Sequence, residues 1–260
     1  MTQDLVLSSV DNGVATLTLN RPAALNSFTT AMHAALLAAL NAAADDASVR
    51  CVVLTGAGRG FCAGQDLGDP AAAPGQDLGA LIRDHYQPLI ERLRSMPVPV
   101  VAAVNGVAAG AGANIALACD VVLAAQSANF IQAFSKIGLI PDAGGTWLLP
   151  RLVGSARAMG LALLGDKLPA ADAERMGLIW QAVPDDALAT SAQLLAQRLA
   201  TMPSKALVAT RQAFAAAQRM PLSDALANEA QWQSQLGSAH DYLEGIAAFQ
   251  QKRAPHFSDR

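Results

Sequence analysis

Charge, aromatic rings and cysteine are all scarce in this chain, and each scarcity closes off a class of function. Charged residues make up 15% and aromatics 5% of 260 residues. Lys and Arg number 18 against 21 Asp and Glu, a formal net charge of −3, so there is no basic footprint for nucleic acid. The three cysteines, Cys51, Cys62 and Cys119, sit in apolar or glycine-rich surroundings without metal-ligand spacing. They read as reduced packing residues of a cytosolic protein. The four histidines, His33, His85, His240 and His256, form no pair at ligand spacing, and no metal site is expected. No apolar run reaches the roughly 18 residues that span a membrane. The opening MTQDLVLSS lacks a basic start and the apolar core of a signal peptide. A cytoplasmic protein without membrane partners is expected.

What is plentiful is apolar. Hydrophobic residues are 52% of the chain, enough for a sizeable core. Many are alanine, which suggests closely packed helices. The segments 5–9 and 14–19 flank Asp-Asn-Gly and predict a hairpin. NRPAALNS (20–27) is a loop. Thr29 or Thr30 caps an Ala/Leu-rich helix to about residue 44. Residues 51–55, 98–104 and 121–125 read as short apolar strands, and 78–96 as an amphipathic helix ending before Pro97. Short helices are predicted at 155–164 and 170–177, and a short strand at 178–183. Beyond residue 186 the pattern is helical throughout, punctuated at Pro203, Pro221 and Gly237. Strands alternating with helices indicate an α/β arrangement. The division expected is a core over 1–200 and a helical C-terminal region over 201–260.

Three stretches stand out. GAGRGFCAGQDL (56–67) follows a strand but fails as a dinucleotide fingerprint, because Phe61 stands where a third small residue is needed. No Gly-Lys-Ser/Thr occurs, so it is not a P-loop either. A close approach of backbone to a ligand around Ala63 and Gly64 is one reading, with Asp66 either capping the next turn or taking a chemical role. NGVAAGAGANIALACD (105–120) is a strand end, a glycine-rich turn and a helix apolar on every face except Asn114. Unpaired N–H groups at the start of such a helix attract negative charge. Tight packing of small residues explains the same sequence equally well. In FIQAFSKIGLIPDAGGTWLL (130–149), Asp142 stands between proline and glycine among apolar runs. It is either ordinary turn or cap chemistry, or a desolvated carboxylate with a pKa raised toward proton-transfer work.

Together with AFQQKRAPHF near the end, these motifs, in this order, resemble the enoyl-CoA hydratase/isomerase (crotonase) superfamily over essentially the whole chain. The resemblance implies a spiral of ββα units with a C-terminal helical region that drives assembly into trimers or dimers of trimers. It implies an acyl thioester substrate, coenzyme A being part of that substrate and no separate cofactor being needed. Two main-chain N–H groups would hold the thioester oxygen, by motif position those of Ala63 and Ala111. Ala23, Ala24 and Leu25, with Ala63, Gly64, Gln65, Asp66 and Leu67, would form the wall along CoA. Lys252, with Phe249, would approach its nucleotide end, although a lone lysine is equally at home as solvated surface.

The departures from the family pattern carry the functional reading. Hydratases of the family handle water with two glutamates, and those positions hold Asn114 and Phe134 here. Neither is acidic, while water addition needs a group to activate water and a group to deliver a proton. Asp142 stands where the isomerase branches carry an acid and near where CoA-dependent dehalogenases carry a nucleophilic Asp. FCAGQDL and FSKIGLIPDAGGTWLLPRLVG further resemble the branch that isomerises the ring epoxide of phenylacetyl-CoA and moves double bonds in enoyl-CoA. The expectation is a one-carboxylate isomerase, with Phe134 and Trp147 lining an apolar acyl pocket. A hydratase, a dehalogenase and a non-catalytic CoA-ester-binding subunit are the alternatives.

Overall fold

The computed structural model describes residues 4–260; residues 1–3, the start of the segment read for a leader, lie outside the described residues. The strands are β1 (Val6–Asp11), β2 (Val14–Leu19), β3 (Cys51–Gly56), β4 (Gly60–Cys62), β5 (Val100–Val104), β6 (Val107–Ala109), β7 (Val121–Ala125), β8 (Asn129–Ile131), β9 (Lys167–Pro169) and β10 (Gln181–Val183). The first helices are α1 (Thr30–Asp45), α2 (Leu78–Leu81), α3 (Gln87–Ser95), α4 (Ala111–Ala118) and α5 (Gly145–Leu164). They are followed by α6 (Ala170–Arg175), α7 (Leu188–Ala200), α8 (Ser204–Ala217), α9 (Leu222–Gly237) and α10 (His240–Gln251).

Two sheets lie side by side in the chain's rhythm. One has the order β1-β2-β3-β5-β7-β10 and the other β4-β6-β8-β9. Each turn of the chain places one strand in the first sheet, a three-residue strand in the second and then a helix: β3–β4–α2/α3, β5–β6–α4, β7–β8–α5. This is the ββα spiral of the crotonase fold. The central pairs β3–β5 and β5–β7 are parallel, and every residue of β5 is buried. That double-sided burial is why these strands read as continuous apolar runs rather than alternating ones. The second sheet escaped residue-by-residue reading. Strands of three residues are too short to show a period; β6 lies in a stretch read as a glycine-rich turn, and β8 in one given no element.

Thr29 caps α1, its hydroxyl accepting from Met32 N. The amphipathic segment from Leu78 passes through one π-helical turn, Ile82–Tyr86, and this turn carries the fully buried Tyr86. The helix expected from residue 155 begins already at Gly145 and kinks at Gly154, whose φ is 77°. The contiguous buried core runs from Val14 to Ala200. α7 closes it with Leu188, Ala192, Ala196 and Ala200, whereas α9 buries no residue. α8 is tied to the core by the buried Arg211, which bonds Asp120 Oδ2 (3.0 Å) and the carbonyl of Met96. Among the described residues no helix is long and apolar enough to cross a membrane.

Candidate active site

The site begins with two loops stapled to each other. Asn26, fully buried at a left-handed φ of 57°, donates from Nδ2 to the carbonyls of Ala57 (3.0 Å) and Gly60 (2.8 Å). Its Oδ1 accepts from Arg21 N (2.8 Å). Arg21 in turn pairs with Asp66 Oδ2 at 2.9 Å, and Asp66 Oδ1 accepts from Gly68 N (3.0 Å). These bonds hold the Asp66 carboxyl below the usual carboxylate range, first through Arg21 and then through Gly68. Asp66 therefore caps and braces its turn. Leu25 is thereby laid against the segment from Gly60 to Ala63: a Cβ on Gly60 would stand 3.2 Å from Leu25 Cδ2, and Leu67 beyond is exposed.

One oxyanion assignment changes. The N–H of Ala63 donates to the Leu25 carbonyl at 2.9 Å, so it is taken up by the staple and is not free to meet a substrate. In the next turn Phe28 N donates to Gly64 O (2.7 Å) and Asp66 N to Phe28 O (2.8 Å). This parallel bridge leaves the intervening N–H of Gln65 turned away from Phe28, and among the described residues no hydrogen bond uses it. Gly64 (φ 93°) brings this segment against the start of α4. A Cβ there would stand 2.9 Å from Ala109 O and 3.5 Å from Ala111 N, so only glycine allows the approach. Ala111 opens α4, whose residues are all buried, and its N–H is one that a helix start leaves without an internal partner. Among the described residues, the N–H groups of Gln65 and Ala111 are thus the free main-chain donors of the two segments that Gly64 brings together. Which amide of this loop is free depends on a hydrogen bond to a segment some forty residues earlier.

Asp142 lies just before α5, yet it is not the cap. Gly144 occupies the N-cap position, and no side-chain hydrogen bond caps this helix. The carboxylate Oδ1 is buried without a partner, and burial pushes the acid up from 3.8 to about 7. Its main-chain oxygen is well held, accepting from Gly145 N (2.7 Å) and from Asn114 Nδ2 (2.8 Å). Asn114 projects from α4, so the carboxylate-bearing turn and the helix carrying Ala111 are directly joined. Phe134 is buried over the turn before that helix: a Cβ on Gly110 would lie 3.6 Å from its ring. Trp147 does not share that place. It lines a cavity of about 390 Å³ with Leu152, Leu207 and Phe214, its ring under the Arg151 guanidinium at 4.3 Å. The expected Phe134–Trp147 pocket wall is therefore not formed within one chain.

Tyr86 is the residue that sequence reading missed. Its hydroxyl donates to Gln65 Oε1 at 2.9 Å, and burial, with the Asp142 charge next, raises its pKa well above normal. As one of two tyrosines in an aromatic-poor chain it offered a weak signal, but its inward turn depends on the π-helical turn. Beneath it His33 packs edge-on at 4.3 Å and against Phe28 at 4.7 Å, and burial lowers it to about 4, a neutral packing histidine. Lys252 ends α10 in a left-handed conformation, exposed, and takes part in none of the site's hydrogen bonds.

Comparison with known proteins shows the family. Residues 9–260 match the enoyl-CoA hydratase/isomerase family. The 1,2-epoxyphenylacetyl-CoA isomerase of Escherichia coli K12 is 53% identical over 99% of both chains. A probable enoyl-CoA hydratase of Rhodobacter capsulatus is 52% identical over the full length of both. Among solved structures, a putative enoyl-CoA hydratase/isomerase from Mycobacterium abscessus superposes with a TM-score of 0.92 at 39% identity, covering 98% of this chain and 100% of that one. The chain belongs to the enoyl-CoA hydratase/isomerase family.

Proposed function

We propose that the protein is a CoA-thioester isomerase in which Asp142 alone carries the proton. As base, the carboxylate takes a proton from C2 of a 3-enoyl thioester. The electron pair moves onto the thioester oxygen, where the N–H groups of Gln65 and Ala111 stabilise the enolate. As acid, the same group returns the proton to C4, leaving the 2-enoyl thioester. The observation that carries this reading is a half-buried carboxylate whose buried Oδ1 has no partner and whose acid is raised to about 7, a value suited to both halves of a proton shuttle at neutral pH. The amide of Asn114 and the ring of Phe134 stand where a hydratase would need acids, and neither can activate water. The similarity to an isomerase acting on 1,2-epoxyphenylacetyl-CoA favours the ring epoxide of an arylacetyl thioester, opened to the seven-membered oxepin, as the principal substrate.

The wall at Ala23, Ala24, Leu25, Gly64, Asp66 and Leu67 is proposed to face CoA. Assembly is proposed to run through α8–α10, where Phe214, Leu222, Leu243 and Phe249 leave large apolar side chains exposed. A neighbouring subunit would then bring Lys252 to a CoA site that its own chain does not reach. The hydratase reading is kept in view by relatives of that name, including a 2,3-dehydroadipyl-CoA hydratase at 41% identity. The test is wild type against Asp142→Asn on a 3-enoyl-CoA in deuterated water. The isomerase reading expects exchange at C2 and turnover, with kcat at least about 10³-fold lower in the variant and acyl-CoA affinity retained. Hydration of a 2-enoyl-CoA that survives the substitution would refute it.

A further inference from the structure

Asn114 is fully buried in α4, and its two hydrogen bonds fit only one orientation of its amide. Nδ2 donates to the Asp142 carbonyl at 2.8 Å, and Oδ1 accepts from Gln132 Nε2 at 2.9 Å. A carbonyl oxygen can only accept, so it dictates that Asn114 turns its NH2 toward Asp142. Oδ1 must then face Gln132, which must in turn present its own NH2. Gln132 is buried as well, directly after β8, with its Oε1 left without a partner. The chain from β8 through α4 to the Asp142 peptide is thus fixed link by link.

The peptide it holds is not relaxed. Ala143 has φ 46° and Gly144 φ 80°, two successive left-handed residues between Asp142 and α5. For the alanine this is a conformation that its Cβ disfavours. The bonds from Gly145 N and Asn114 Nδ2 to the Asp142 oxygen hold the turn in that shape. Room for the Asn114 amide exists only because residue 145 is glycine: a Cβ there would lie 2.8 Å from Asn114 Cγ.

We infer that Asn114, anchored by Gln132, is a positioning residue that aims the Asp142 carboxylate at the substrate and keeps water from it. This rests on the reading of Asp142 as the proton carrier, so Asp142→Asn is run beside the variants that test it. Those are Asn114→Ala, Gln132→Met and the double substitution, all in the full chain. Isomerisation of a 3-enoyl-CoA gives kcat, KM and the pH profile, and titration with a saturated acyl-CoA gives Kd. Asn114→Ala should lower kcat about 10- to 100-fold, since small misplacement of a reacting group has effects of that order. The acyl-CoA Kd should change less than about twofold, because neither amide touches the proposed CoA wall. Gln132→Met, which retains the Asn114 side chain and its bond to Asp142 but removes the anchor behind it, should show a smaller fall of the same kind. The double variant should be no worse than Asn114→Ala, as expected for residues in one chain of bonds. The acid limb of the kcat profile should move to lower pH as water reaches the carboxylate.

A merely structural role would leave that limb unmoved. Wild-type kcat and pH profile in Asn114→Ala and Gln132→Met, with Asp142→Asn inactive, would overturn the positioning role alone. Full activity in Asp142→Asn would overturn the acid–base reading and the positioning role with it. If Asn114→Ala does not fold, Gln132→Met decides between the same outcomes.

Discussion

Asp142→Asn should make the protein more stable above neutral pH and leave acid stability nearly unchanged. Burial raises the Asp142 carboxyl from 3.8 to about 7. The native state then holds this proton more tightly than the unfolded chain does. As pH rises from about 4 to about 7, the unfolded chain loses the proton first, and native stability falls over that window. Each pH unit is worth about 1.4 kcal/mol, so the full effect is bounded near 4 kcal/mol. Asp142 is only half-buried, and relaxation toward water should roughly halve this, to about 2 kcal/mol. In a chain of this length such a gain raises Tm by about 4–8 °C. Asparagine keeps the shape and removes the charge, so below pH 4 the two proteins should melt together. Thermal unfolding by circular dichroism, from pH 4 to 8.5 at equal protein concentration, measures the difference. A Tm difference that stays constant with pH, or a variant less stable at pH 8, would refute the claim that Asp142 sits desolvated and unpaired. The same experiment separates strain at the site from activity, because it needs no substrate.

Tyr86→Phe removes the hydrogen bond to Gln65 Oε1 and should lower kcat about 3- to 10-fold, with KM little changed, in steady-state kinetics. Arg211→Met leaves Asp120 and the Met96 carbonyl without their buried partner and should destabilise by about 3–5 kcal/mol, read from urea unfolding, while releasing α8 from the core.

What the sequence made legible follows from the range of the forces involved. The hairpin, the cap at Thr29, the buried strands and the helix at Ala111–Ala118, apolar but for Asn114, are written in neighbouring residues, and the structure places them within a residue or two. The three-residue strands of the second sheet carry no such local code. They exist because loops returning from the first sheet find each other. The same distinction runs through the site. Asp142 stood out because a lone acid among apolar residues is a local anomaly. The fate of the Ala63 amide was not visible, because its partner Leu25 lies in another loop. Trp147 looked like a pocket residue from its neighbours, whereas its ring lines a different cavity, shared with Leu207 and Phe214 of α8.

The division between main chain and side chain also bears on how one fold serves several reactions. In the proposed mechanism the enolate is held by two peptide N–H groups, which any small residue at Ala111 and any side chain at Gln65 would supply. That part of the site constrains the chain through Gly64, whose missing Cβ permits the approach to Ala109, and not through functional groups. The reaction is then chosen by the side chains facing C2 and beyond. An acid at 114 would put a second proton donor beside Asp142. Asn114 instead directs its donor to the Asp142 main chain, and Phe134 covers the other position with a ring. On the proposed reading neither side chain can handle water as an acid would, and Asn114 also braces the turn that carries Asp142. Under the proposed mechanism this arrangement, one unpaired carboxylate oxygen on a turn braced by Asn114, suits a proton shuttle with a single carrier.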